Sequence, residues 1–162
     1  QDKLNFDRPE EEIIAEYKAQ GVPYYYKPVS WFKIGHYVDI DEHVCKVSEI
    51  TTGKKHGKLG RNICIAGHDV FTGEKREKHV YESYNVMCPF VEYKEYLVIN
   101  LPFEGTLTLM NEESNEQKED VEMPEGDLGI QLREAFNADD VVVTVVNAWR
   151  KESIVKFRRK SE

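Results

Sequence analysis

The 162-residue sequence has no apolar run near the ~18 residues that a membrane-spanning helix needs, and no signal-peptide pattern opens it. Cysteine is scarce: Cys45, Cys64 and Cys88 are an odd number without paired spacing. That excludes a disulfide framework and fits free thiols in a reducing compartment, so a cytoplasmic location is expected. Neither CxxC nor HxxxH occurs among His43, Cys45, His56, Cys64, His68, His79 and Cys88, so no metal site is expected. His43 and Cys45 fall on one face of a strand, but a single pair does not make a tetrahedral set. Cys45 with a distant histidine has no orienting carboxylate motif and no oxyanion hole, so no enzyme is expected. Gly57-Lys58 is followed by Leu59, and residue 52 is Thr, which excludes a phosphate-binding P-loop. Repeats are absent. The chain begins on Gln1 rather than Met, so further residues ahead of it are expected.

What is present is enough apolar material for a core. Hydrophobic residues make up 40% of the chain, with nine Tyr and seven Phe, which argues against disorder despite the high charge. The net charge of −8 is unevenly spread. Residues 1–89 carry 13 Lys/Arg against 14 Asp/Glu, net −1; residues 90–162 carry 9 against 16, net −7. Within 53–61 there are Lys54, Lys55, Lys58 and Arg61 and no acid. A positive tip on an acidic body suits local phosphate contact without general RNA affinity.

Residues 9–20, PEEEIIAEYKAQ, read as a short helix with Pro9 in the first turn, three glutamates at the positive dipole end and Gly21 as its stop. From Tyr24 the texture turns to strands: YYYKPVSWF, HYVDI, HVCKVSEI, NICIAGHDVF and KHVYESYNV, with turns at Gly35, Asp41-Glu42, 53–60 and Thr72-Gly73. Five or so strands in ~65 residues suggest a small barrel. Cys88-Pro89 breaks the pattern, which sets three segments: a 1–23 extension, a 24–89 barrel and a 90–162 domain. The last holds YLVINL, TLTLMN, QKEDVEM, VVVTVVNAW and SIVKFRR with one helix, DLGIQLREAF at 127–136, capped by Asp127 and closed by Asn137. Strands with one helix are the composition of an oligonucleotide-binding (OB) barrel. Trp31, Phe32, Trp149 and the tyrosines at 24–26 have the chemistry to stack RNA bases, but core filling is the expected role. If the acidic C-terminal barrel reaches RNA, Arg150, Lys151, Arg158 and Arg159 are its cations.

The segment ITTGKKHGKLGRNI, residues 50–63, places three glycines among four cations between two strands. At this point the sequence resembles the eukaryotic translation initiation factor 5A family, whose archaeal and bacterial relatives include elongation factor P. The resemblance runs from about Tyr24 to Arg159. It is carried by CKVSEI (Cys45–Ile50), GKKHG (Gly53–Gly57), GHDVFTGEK (Gly67–Lys75), SYNVMCP (Ser83–Pro89) and MPEGDLG (Met123–Gly129).

The resemblance implies a mainly β protein: an SH3-like N-terminal barrel carrying the lysine loop, then an OB-fold domain. It implies a non-catalytic translation factor that binds the ribosomal E site and rRNA and reaches the acceptor end of the P-site tRNA. That action favours elongation through stalling stretches such as polyproline, and termination. One loop lysine is converted to hypusine with an aminobutyl group from spermidine, by deoxyhypusine synthase and deoxyhypusine hydroxylase; no other cofactor is implied. The family loop has one lysine between Gly and His, whereas two stand here. Read from His56-Gly57 the modified residue is Lys55, the first choice; read from Thr52-Gly53 it is Lys54. Gly53, Lys54, Lys55, His56, Gly57, Lys58 and Arg61 together form the implied RNA-binding loop. The altered loop leaves a second reading, an unmodified relative with a structural, self-assembling role.

Overall fold

The computed structural model describes residues 5–149 and 151–161. The chain divides into two compact units, residues 1–91 and 92–162.

The first unit opens with α1 (Glu10–Ala19). Pro9 sits one position earlier than expected, at the N-cap with extended ψ of 144°, where its missing N–H costs nothing. The end is a Schellman turn: Gly21 N–H donates to Lys18 O at 3.0 Å and Val22 N–H to Tyr17 O at 3.1 Å. Ile13 is buried, and Ile14 and Tyr17 pack beside it on the barrel core. Burying that isoleucine contributes roughly 1.5–3 kcal/mol, more than the isolated ten-residue helix has from propensity.

Six strands follow: β1 (Tyr24–Pro28), β2 (Tyr37–Ile40), β3 (His43–Lys55), β4 (Arg61–Asp69), β5 (Lys75–Tyr81) and β6 (Asn85–Pro89). β2-β3-β4-β5 form one antiparallel sheet and β1-β6 a two-stranded one. Two sequence expectations change here. YYYKPVSWF is strand only to Pro28, and Val29–Trp31 turns as a 3-10 helix. Proline has no N–H for the ladder, and Pro28 opposite Asn85 is its last rung. KHVYESYNV is two strands, because the chain leaves β4 at Tyr81 and pairs next with β1. Val38, Ile40, Val47, Ile63, Ile65, Val80 and Val86 fill the core.

The second unit contains β7 (Val91–Asn100), β8 (Thr106–Met110), β9 (Gln117–Glu122), α2 (Gly126–Ala138), β10 (Val141–Ala148) and β11 (Lys151–Arg159). The sheet order is β11-β10-β7-β8-β9. Val141, Val143 and Val145 join Leu107, Leu109, Val121 and Leu132 in its core. α2 starts one residue before the expected helix and ends two after it. Glu125 rather than Asp127 is the N-cap, Asn137 stays helical, and Asp139 is the C-cap. Leu132 is fully buried while Leu128 and Phe136, at helical spacing from it, pack around it. The fold is thus mainly β, an SH3-like barrel followed by an OB-fold domain.

Candidate functional site: a lysine-bearing hairpin

β3 is 13 residues long and outruns its neighbours. β2 pairs with it only from His43 to Lys46, and β5 pairs with β4 from His68 to Asn62. Beyond Thr52–Ile63 one further β3–β4 rung, Lys55 opposite Arg61, closes the hairpin, and on the other side the chain after β5 follows it outward with Glu82 N–H donating to Arg61 O at 2.9 Å. The ladder is irregular between Thr52 and Lys55, so Gly53 and Lys54 bulge from it. The turn is therefore shorter than the 53–60 expected. It consists of His56–Gly60 with a 3-10 turn at Gly57–Leu59, which puts Lys58 at the apex and Lys54 and Lys55 on its rising strand.

Backbone hydrogen bonds hold the turn: His56 N–H to Gly60 O at 2.8 Å, and Leu59 N–H to His56 O at 3.1 Å. Gly57 and Gly60 have φ of +54° and +81°. At Gly60 a Cβ would also lie 2.6 Å from Glu82 Oε1 and 2.8 Å from Glu82 Cβ, so glycine is required there twice over. Glu82 Oε1 accepts from Arg61 N–H at 3.2 Å, and Ser83 N–H donates to Leu59 O at 3.2 Å. The Arg61 guanidinium turns back to Gly53 O at 3.3 Å, which ties the bulge down. His56 packs edge-on to Tyr81 at 5.5 Å, and Tyr81 to Tyr84 at 5.5 Å.

The seven sequence-predicted residues therefore divide by task. Gly53, Gly57, His56 and Arg61 shape the hairpin, and Lys54, Lys55 and Lys58 project from it. Residues 51–59 are all exposed, and among the described residues none of the three lysine ammonium groups has a hydrogen bond or ion pair. Tyr81 and Glu82, which brace the turn, carry no motif, and Tyr84 stands in SYNVMCP with no loop role expected of it. Only the β4–β5 register brings them there.

The other candidates fall elsewhere. Phe32 and Tyr25 are core residues, and Trp31 packs edge-on to Phe6 at 5.6 Å. Cys45 is fully buried; burial and then nearby Asp69 push its thiol up to about 11, far from a nucleophile's range. His43 sits at the rim with Nδ1 3.3 Å from Asp69 Oδ2. In the second unit Arg158 pairs with Glu95 at 3.2 Å. Arg150 lies outside the described residues.

An SH3-like barrel presenting a basic hairpin, with an OB fold after it, places the chain in the tandem-barrel class. Two family profiles match: one described as translation initiation factor 5A-like, N-terminal, over residues 25–84, and one described as eukaryotic elongation factor 5A hypusine, DNA-binding OB fold, over residues 90–158. Eukaryotic translation initiation factor 5A-1 of Caenorhabditis elegans is 33% identical, covering 96% of this chain and 97% of that one. The Saccharomyces cerevisiae factor 5A-1 is 34% identical over 75% of this chain and 77% of its own length. A solved structure of an eif-5a family protein from Naegleria fowleri is 30% identical, with a TM-score of 0.75, covering 83% of this chain and 98% of that one. The chain belongs to the eukaryotic translation initiation factor 5A family, and its role is that of a translation factor.

Proposed function

We propose that this factor binds the ribosomal E site and rRNA and directs its lysine hairpin at the acceptor end of the P-site tRNA. The observation that carries this reading is the exposed, acid-free trio Lys54, Lys55 and Lys58 on a hairpin that outruns its sheet. Three ammonium groups without internal partners attract phosphate without first breaking an ion pair. The backbone bonds of the turn fix where those charges stand, so the protein's contribution is positioning and electrostatics, and peptide-bond chemistry stays with the ribosome. Elongation through stalling sequences such as polyproline, and termination, are the steps such positioning assists.

Lys55 is the residue we assign to hypusine modification by deoxyhypusine synthase and deoxyhypusine hydroxylase, with spermidine as aminobutyl donor. It precedes His56 and sits opposite Arg61 on the last rung, whereas Lys54 lies in the bulge. The test is peptide mass spectrometry of residues 47–61 from protein isolated from its native cell. A hypusine-sized addition on Lys55 supports the assignment, and the same addition on Lys54 moves it by one residue. A fully unmodified peptide from a protein that stays off ribosomes favours the structural, self-assembling relative.

A further inference from the structure

Below the loop, the outward face of the neighbouring β4–β5 pair gathers three different metal-ligating side chains. Cys64 on β4 stands directly opposite His79 on β5, with Sγ 3.9 Å from Nε2. Glu77 lies two residues before His79, on the same face by strand alternation. The ligand atoms of Cys64, Glu77 and His79 all lie within 4.8 Å of one another. Ile63, Ile65 and Val80, which alternate with them, point into the core and fix the strand faces. The trio is thus held by a ladder that the core cannot let slip by one residue.

The distances suit a tetrahedral ion. Metal–sulfur and metal–nitrogen bonds of about 2.3 and 2.0–2.1 Å at a tetrahedral angle separate the two ligand atoms by roughly 3.6 Å. The 3.9 Å observed closes to that with small side-chain rotations. We propose that Cys64, His79 and Glu77 form a zinc-type divalent metal site, with its fourth position open to solvent. Thiolate and imidazole select zinc over magnesium or calcium. Binding takes the thiol proton to the buffer, so affinity rises with pH. The bound ion ties β4 to β5 on the rung where Cys64 stands opposite Thr51, at the root of the lysine hairpin.

Cobalt(II) serves as the spectroscopic probe, titrated into the full chain without an affinity tag. Cys45 and Cys88 are buried, so an accessible-thiolate signal belongs to Cys64. The expected result is one equivalent bound, with a thiolate-to-cobalt charge-transfer band and intense tetrahedral d–d absorption. Cys64→Ser abolishes the band, and His79→Ala weakens binding by about tenfold or more. Zinc also slows alkylation of Cys64 by iodoacetamide in the parent protein. Unchanged melting of both metal-free variants shows that they fold. Absence of the charge-transfer band, or a spectrum that survives Cys64→Ser, overturns the site.

Discussion

Lys27 is 1% exposed, and its ammonium donates to Glu10 Oε2 at 2.9 Å, so the barrel's one deeply buried lysine takes its counter-charge from the N-terminal helix. Tyr25 Oη donates to the same carboxylate oxygen at 2.5 Å. His36 Nδ1 lies 2.9 Å from the ammonium and also accepts from Lys33 N–H at 3.3 Å, which identifies the Nε2–H tautomer. The rings of Phe32 and Tyr25 cover the ammonium at 4.6 and 5.5 Å. α1 is therefore joined to the barrel by charge as well as by Ile13.

Removing that counter-charge strands a buried cation. Glu10→Ala is expected to destabilise the first unit by about 3 kcal/mol, the cost of breaking one side of a buried pair. Glu11→Ala, on the exposed side of the same turn, is expected to change stability by less than about 0.5 kcal/mol. Urea midpoints of the two variants against the parent check the contrast. Equal midpoints would show that Lys27 finds another partner.

The same cluster sets a pH dependence. Burial, then the charge of Lys27, holds His36 below its ordinary 6.5. Burial alone would raise the Glu10 carboxyl, but hydrogen bonds from Tyr25 and Lys27 outweigh it and hold the group below its ordinary 4.5. In both cases the unfolded chain takes up its proton first, so each contribution is complete above the ordinary value and is lost as pH falls through the folded one. Melting temperature is expected to decline in two stages on acidification, starting below 6.5. His36→Gln keeps an acceptor for Lys27 and should remove the upper stage. Persistence of that stage in the variant would place its origin elsewhere.

The projecting lysines carry no core contact. Lys55→Ala should melt with the parent, within about 0.5 kcal/mol, and lose the translation role proposed above. Lys55→Glu with Lys58→Glu is expected to weaken ribosome co-sedimentation most at low salt and to flatten its dependence on salt. Binding that ignores both the substitutions and the salt would assign the contact to another surface.

Gly60→Ala meets both a left-handed backbone and the Glu82 side chain. A cost of roughly 1–3 kcal/mol is expected, together with loss of the turn's hydrogen bonds. Gly57→Ala, where a Cβ meets open space, should cost about 1 kcal/mol from its φ alone. Hydrogen exchange of the His56 and Leu59 amides separates the two.

Much of this was legible before any coordinates. Apolar alternation marked the strands of both units, and Pro9, the three glutamates after it and Gly21 marked α1. Glycines among lysines marked the hairpin, and the ordered motifs carried the family. What escaped were relations between strands. The lysine loop's braces, Tyr81 and Glu82, lie some twenty residues beyond it in the chain and reach it only through β4–β5 pairing. Cys64 and His79 are 15 residues apart, so a search for closely spaced ligands passes over them. Nothing in the string YYYKP marks Lys27 as buried. Its burial follows from strand parity, which puts Tyr25 and Lys27 on one face and leaves Glu10 to answer the charge.

The uneven strand lengths of the first barrel make the hairpin a cantilever. At its root β2 pairs with β3 from His43 to Lys46 and β5 pairs with β4 from His68 to Asn62, while Gly53 to Gly60 extends past β2 and is tied on the β4 side by Glu82 and Ser83. The bonds of the turn and its braces set the path of the backbone, so the freedom that remains lies in the long side chains of Lys54, Lys55 and Lys58. The three ammonium groups therefore sweep a small arc by side-chain rotation about a backbone that the turn holds in place.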